Sequence, residues 1–208
     1  FDINKVGYNE RNNLKSYKFN MGYKNTNPIL NLLRRYRWDF IYHYADNFDR
    51  LNINNSIGLV AKYYTNRYNR FTLGYIVENE HYDDYYMYDY ELDLNGPAFL
   101  IPKTNRVFTK FNSDTKKDIY FSLWLASSMS INNDKLLESA INFSSRFGDS
   151  HFLNIGFTQI SFNSSLDFLE SVEDDQDQDV NHYIFSNTNG WENRYSISFE
   201  KYFNQKIS

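Results

Sequence analysis

Two-residue alternation between apolar and polar side chains runs through this chain almost end to end. Tyr17, Phe19, Met21 and Tyr23 alternate with Lys18, Asn20, Gly22 and Lys24. Tyr36, Trp38, Phe40, Tyr42 and Tyr44 alternate with Arg35, Arg37, Asp39, Ile41 and His43. The same period continues over 51–61, 71–77, 86–94, 107–111, 119–125, 141–147, 153–157 and 191–203. A helix repeats every 3.6 residues, so this pattern specifies strands with one apolar and one polar face. About ten strands of about ten residues are expected, longer than the five or six usual in soluble sheets. A tilted strand of about ten residues crosses a bilayer. Turn-like connectors at 24–28, 65–67, 112–115, 132–134 and 148–150 separate the strands, with longer breaks near 78–85, 95–105 and 163–181. Read in order, these connectors do not sort by length and fix no orientation. Residues 28–35 admit a single helical turn or a loop feeding the next strand, and the loop is preferred.

Composition separates the environments open to such a sheet. Aromatic residues make up 19% of the chain, with 19 Tyr and 18 Phe, yet mean hydropathy is -0.68. A soluble core draws mainly on Leu, Ile and Val. A barrel wall combines aromatic girdles with a polar residue at every second position. Ten long amphipathic strands with no helix to cover them need closure or a second sheet. Net charge of -4 and a pI near 5.6 argue against nucleic acid. The chain has no Cys, which excludes disulfides, zinc thiolates and a cysteine nucleophile. It contains no apolar run of helical membrane-spanning length. It starts at Phe1-Asp2 without Met, and the expectation is a piece truncated at both ends.

Residues 85–102, YYMYDYELDLNGPAFLIP, pose the environment question sharply. Tyr86, Tyr88, Tyr90, Leu92 and Leu94 are expected to face lipid, with Asp89, Glu91 and Asp93 facing a wet lumen, where they would favour cations. Arg70, Lys62 and Arg106 are the cations nearest in sequence to relieve their repulsion. Acids at i and i+2 on a strand lie about 6.5–7 Å apart, near inverting-glycosidase geometry. Any acidic strand face has that spacing, and no enzyme is expected. Glu173, Asp174, Asp175, Asp177 and Asp179 form a candidate calcium loop but lack the glycine and terminal glutamate of an EF-hand. A self-repelling surface loop is the simpler reading. His43, His81, His151 and His182 show no metal-ligand spacing, and His81 with Asp83 and Asp84 reads as a loop tip. Arg34-Arg35-Tyr36-Arg37-Trp38 reads as interfacial anchors rather than a single-stranded nucleic-acid surface. With no phosphate loop, nucleophile elbow or zinc motif, neither cofactor nor metal is expected.

Three blocks resemble one family. Phe1-Asp2-Ile3-Asn4-Lys5-Val6-Gly7-Tyr8 followed by Arg11-Asn12-Asn13 resembles an N-D-L-G-F-x-x-R-N-N signature. Asn95-Gly96-Pro97-Ala98-Phe99 through Pro102, with Asn112-Ser113-Asp114-Thr115-Lys116-Lys117, resembles R-G-G-P-L-x-x-x-P and a later N-S-D-S-R-K turn. Tyr183-Ile184-Phe185 ahead of the last strand is the third block. Lys5 departs from the usual acid, and Leu94 and Asn95 from the usual Arg-Gly. The blocks resemble the C-terminal β-barrel domain of unknown function in Bacteroidetes-type outer-membrane proteins that carry an N-terminal domain resembling family 9 carbohydrate-binding modules. The resemblance implies location and architecture, not a reaction. The combined expectation is an all-β, antiparallel up-and-down transmembrane β-barrel segment spanning 1–208 in the bacterial outer membrane. Its partners would be the lipid bilayer, with a glycan or other outer-membrane proteins as ligand classes, in transport or surface binding. The alternative is a soluble all-β carbohydrate-binding module with aromatic platforms.

Overall fold

The computed structural model describes residues 14–29, 32–83, 88–89, 94–95, 97–148, 151–173 and 181–201. The strands are β1 (Leu14–Asn25), β2 (Leu33–Asn47), β3 (Asn52–Thr65), β4 (Arg70–Glu78), β5 (His81–Asp83), β6 (Tyr88–Asp89), β7 (Leu94–Asn95), β8 (Phe99–Ile101), β9 (Thr104–Asn112), β10 (Ile119–Ser130), β11 (Lys135–Phe147), β12 (His151–Glu173) and β13 (Asn181–Lys201). Nine form one sheet in the order β1-β2-β3-β4-β9-β10-β11-β12-β13, and every pairing is antiparallel. Among the described residues there is no helix, and β1 and β13 are the sheet's two edges.

Register carries one parity across all nine strands. Met21, Phe40, Leu59, Tyr75, Val107, Ser127, Leu137, Ser161 and Trp191 are successive cross-strand partners. Large apolar side chains on this parity are open: Leu59, on the third strand in from an edge, is 60% exposed, and Ile197 is 76% exposed. Nothing among the described residues covers them. The opposite parity is polar and more enclosed, with Asp39 and Val60 each 7% exposed and Ala126 4%. A single layer that shields one face without any cover is curved toward that face. Gly22, Gly58, Gly74, Gly156 and Gly190 all lie on it. At Gly74 an added Cβ would meet the Phe108 ring at 2.1 Å, and at Gly190 the Phe162 ring at 2.9 Å. Glycine is the residue that lets a neighbour's ring lie flat on a concave sheet surface.

Three hairpins share one turn. In 47–51, 65–69 and 130–134 the first residue's N–H donates to the fifth carbonyl, and the fourth N–H donates back to the first carbonyl. The fourth residues, Arg50, Tyr68 and Asn133, have φ of 64°, 61° and 67°. A side-chain oxygen of Asn47, Thr65 or Ser130 accepts the fifth residue's N–H at 2.9, 3.1 and 3.1 Å. This is a type I turn closed by a left-handed residue.

The sheet corrects three expectations. The stretch 85–94 is not a wall strand. Tyr88 pairs with Asn95 and Asp89 with Leu94, so the chain reverses between Asp89 and Leu94. The described part of the stretch belongs to a long ribbon, β4-β5-β6 out and β7-β8-β9 back, with Pro97 on the returning arm, while 85–87, 90–93 and 96 lie outside the described residues. The break expected over 163–181 is mostly ladder, because β12 pairs with β13 out to Glu173↔Asn181. Register shifts between Ser164 and Asp167 and between Phe168 and Glu170 change the parity there, which hides the period. The strand count in the sheet is nine rather than ten. Within 28–35, Leu32 N–H donates to the Ile29 carbonyl at 3.0 Å and β2 begins at Leu33, while residues 30–31 lie outside the described residues.

Candidate functional site

The concave polar face collects the sheet's charge. It bears Lys18, Lys24, Arg35, Arg37, Lys62, Arg70, Arg106, Lys110, Arg146 and Arg194 against Asp39, Glu78, Glu138, Asp167, Glu192 and Glu200. Among these described side chains cations outnumber acids ten to six, in a chain whose net charge is -4. One cross-strand row alone holds Lys24, Arg37, Lys62, Lys110 and Arg194. The sequence places compensating acids where the chain leaves the wall: Glu80, Asp83, Asp84, Asp89, Glu91 and Asp93 between β4 and β9, and Glu170 to Asp179 at the far end of β12.

Asp39, Glu138 and Glu192 are tied to cations on the face. Asp39 accepts Arg37 Nε at 2.6 Å and Lys62 Nζ at 2.9 Å. Glu138 Oε2 accepts Arg106 at 2.8 Å and Trp124 Nε1 at 3.3 Å. Trp124 in turn stacks against Phe108, with ring centroids 5.2 Å apart. Charge pairing and ring packing therefore hold one another in place on β9, β10 and β11.

The two ends of the sheet differ. At one end the connections 26–32, 66–69, 113–118 and 148–150 are short. At the other, the β4–β9 ribbon and the extended β12–β13 ladder both project, with tight turns at 48–51 and 131–134. Phe99 of one ribbon stacks on Phe185 of the other at 5.3 Å and 26°. The β10–β11 turn is tied to both. Ile131 N–H donates to the Lys103 carbonyl at 2.9 Å, and Ser165 N–H donates to Asp134 Oδ1 at 2.7 Å. Beneath lies a cavity of about 370 Å³ lined by Glu78, Phe99, Thr104, Arg106, Ser130, Asp134 and Phe162. Its lining offers both charge and apolar surface to a polar solute.

Burial raises the Asp134 pKa, but hydrogen bonds from Ser165 and Ser130 outweigh it and hold the carboxyl below its ordinary value. A depressed carboxylate stabilises the fold fully above its unfolded pKa, about 3.9, and this is lost as pH falls through the lower folded value. Asp134→Ala is expected to cost about 1 kcal/mol at neutral pH, after allowance for solvent screening. The loss relative to wild type should vanish in acid when unfolding midpoints are compared. A loss independent of pH would refute this account.

Of the acids singled out from sequence as lumen-facing or calcium-binding, none has its side chain among the described residues. Asp89 lies on the ribbon, where only its backbone is described. Glu91 and Asp93 lie outside the described residues, as do Asp174, Asp175, Asp177 and Asp179, while Glu173 ends β12 with its side chain undescribed. Of the cations named as possible partners, Lys62 pairs with Asp39 and Arg106 with Glu138. Among the described residues no three His, Asp or Glu side chains converge as metal ligands would. Sequence reading missed the cationic rows because they join residues up to 170 positions apart, from Lys24 to Arg194.

A family model described as "Domain of unknown function (DUF5916)" matches residues 1–208. No curated protein and no solved structure matches the chain.

Proposed function

Since the chain belongs to this family of unknown function, we propose from its geometry that it is a stretch of wall of a transmembrane β-barrel in the bacterial outer membrane, a conduit for polar solutes whose lining favours anions. The supporting observation is the uncovered apolar face, continuous over nine strands. Soluble monomers rarely expose a contiguous apolar patch beyond a few hundred Å².

The apolar band also runs obliquely to the strands. On the row through Tyr23, Trp38 and Leu73, the partners become Ser139, Gln159 and Asn193 on β11 to β13. There the apolar residues lie farther along, at Phe143, Ile155 and Ile197. The band drifts about four residues over eight strand steps, which at about 3.3 Å per residue and 4.8 Å per step is a strand tilt of about 20°, in the sense of, but below, the roughly 35–45° of outer-membrane barrels. From Tyr36 to Tyr44 the band rises about 27 Å along β2, or about 25 Å after tilt, against an apolar belt of about 25 Å. Tyr17 and Tyr44 lie toward one edge of the band and Tyr23, Tyr36 and Tyr63 toward the other, with Phe40, Ile57 and Leu59 between. An open hollow of about 680 Å³ between Trp38, Leu59, Leu73, Tyr75 and Leu125 has no charged residue in its lining and suits acyl chains.

Short turns at one end and long ribbons at the other match the periplasmic and external sides of such barrels. In this reading the ribbons and their acids lie outside. The association with a family 9 carbohydrate-binding-like domain, implied by the sequence resemblance, makes a glycan the first ligand class to test.

The test is to express the full-length parent with its export signal and compare gel migration with and without boiling. A faster unboiled band in the detergent-requiring fraction supports the reading, and reversal potentials across a salt gradient should then show anion preference. A soluble protein with a single mobility would overturn it and put the sugar-binding module first.

A further inference from the structure

We propose that the short-turn end of the concave face carries a binding site for a phosphate-type oxyanion, built from Arg34, Arg35, Arg70, Lys116, Asn112 and Tyr68. The inference rests on this cluster and goes beyond the conduit reading, because the site needs neither a closed barrel nor a membrane. These residues line a cavity of about 280 Å³. Arg35, Arg70 and Asn112 belong to one cross-strand row through Tyr64 on β2, β3, β4 and β9, and Lys116 comes from the β9–β10 turn.

Three buried donors in this lining, Arg34 Nε, Arg35 Nε and Asn112 Nδ2, have no hydrogen-bond partner. All three are donors, and an orphaned buried donor calls for an absent acceptor. The cationic groups are held by rings rather than by acids. Arg35 lies 3.8 Å from the Tyr64 ring centroid, Arg34 4.5 Å and Lys116 4.1 Å from that of Tyr68. Such stacking positions a cation without neutralising it. Asp114 is the lining's one acid, and its Oδ1 already accepts the Lys116 backbone N–H at 3.0 Å.

Tyr68 fills the left-handed fourth position of its hairpin turn, as Arg50 and Asn133 do in the other two, and its ring carries both Arg34 and Lys116. Donors converging from several elements suit a tetrahedral oxyanion with acceptors on every side. A planar carboxylate is satisfied by one arginine fork.

The full-length protein, folded in detergent, should be titrated calorimetrically with inorganic phosphate and separately with a short-chain phosphatidic acid. Saturable binding of phosphate is expected. If phosphatidic acid binds and inorganic phosphate does not, the phosphate comes from a lipid headgroup. Lys116 is exposed, so Lys116→Gln should leave folding intact and weaken binding about tenfold. Tyr68→Gly should weaken binding similarly while leaving the melting temperature equal or higher, since it relieves the backbone. Saturable binding of neither probe by folded protein would overturn the proposal, as would binding unchanged in both variants.

Discussion

Leu123→Arg should block folding into lipid bilayers, whereas Ser122→Arg, one residue away, should be tolerated. Leu123 partners Phe111 and Ile141 on the apolar face. Ser122 partners Asn112 and Asn142 on the concave face. If the apolar face meets acyl chains, arginine at 123 puts a charge near mid-bilayer at a cost of about 2–4 kcal/mol. At 122 the same charge enters a polar lining that already holds arginines. A typical folding stability is only about 5–15 kcal/mol, so the first cost is a substantial fraction of it. The readout is the fraction of each variant that migrates as the fast unboiled band after refolding into vesicles. Equal yields would remove the lipid-facing assignment. The reverse order would invert the barrel.

Gly74→Val is the second large effect. Phe108 lies across Gly74, and a Cβ there would fall 2.1 to 2.7 Å from three of its ring carbons. The ring has little room to retreat, because Trp124 packs against it and Trp124 Nε1 is tied to Glu138. Overpacking of this kind costs about 1–3 kcal/mol. Phe108→Ala alone should also destabilise, through lost stacking and burial. The double variant should cost less than the two singles together, since the ring that clashes with valine is gone. Urea midpoints of the four proteins close the cycle. Strict additivity would mean that Phe108 does not rest on Gly74.

The strands of the sheet were readable from period two because one face of each carries mostly large apolar side chains. Phe71 to Val77 and Ile119 to Leu125 appear in the structure where alternation placed them. Reading failed where the period was present for another reason, as in 85–94, or broken by a local device, as in the β12–β13 ladder beyond Ser164. A ribbon tip alternates as a wall strand does, and its reversal between Asp89 and Leu94 carries no Gly or Pro to mark it. The turn was visible as the polar residues 65–67, but not the left-handed Tyr68 that follows, since no propensity favours tyrosine there.

Alternation along the chain is enough to show that this protein is all-β, which residues share a face within most strands, and that one face is apolar. Those properties follow from side-chain period, which is local. The tertiary structure decided which strands are neighbours, and with that the tilt of the apolar band, the gathering of cations on the concave face, and the meeting of Arg34, Arg35, Arg70 and Lys116 around Tyr64 and Tyr68. These depend on register between segments far apart in the chain, and a one-residue slip in any ladder would move a strand's side chains to the other face.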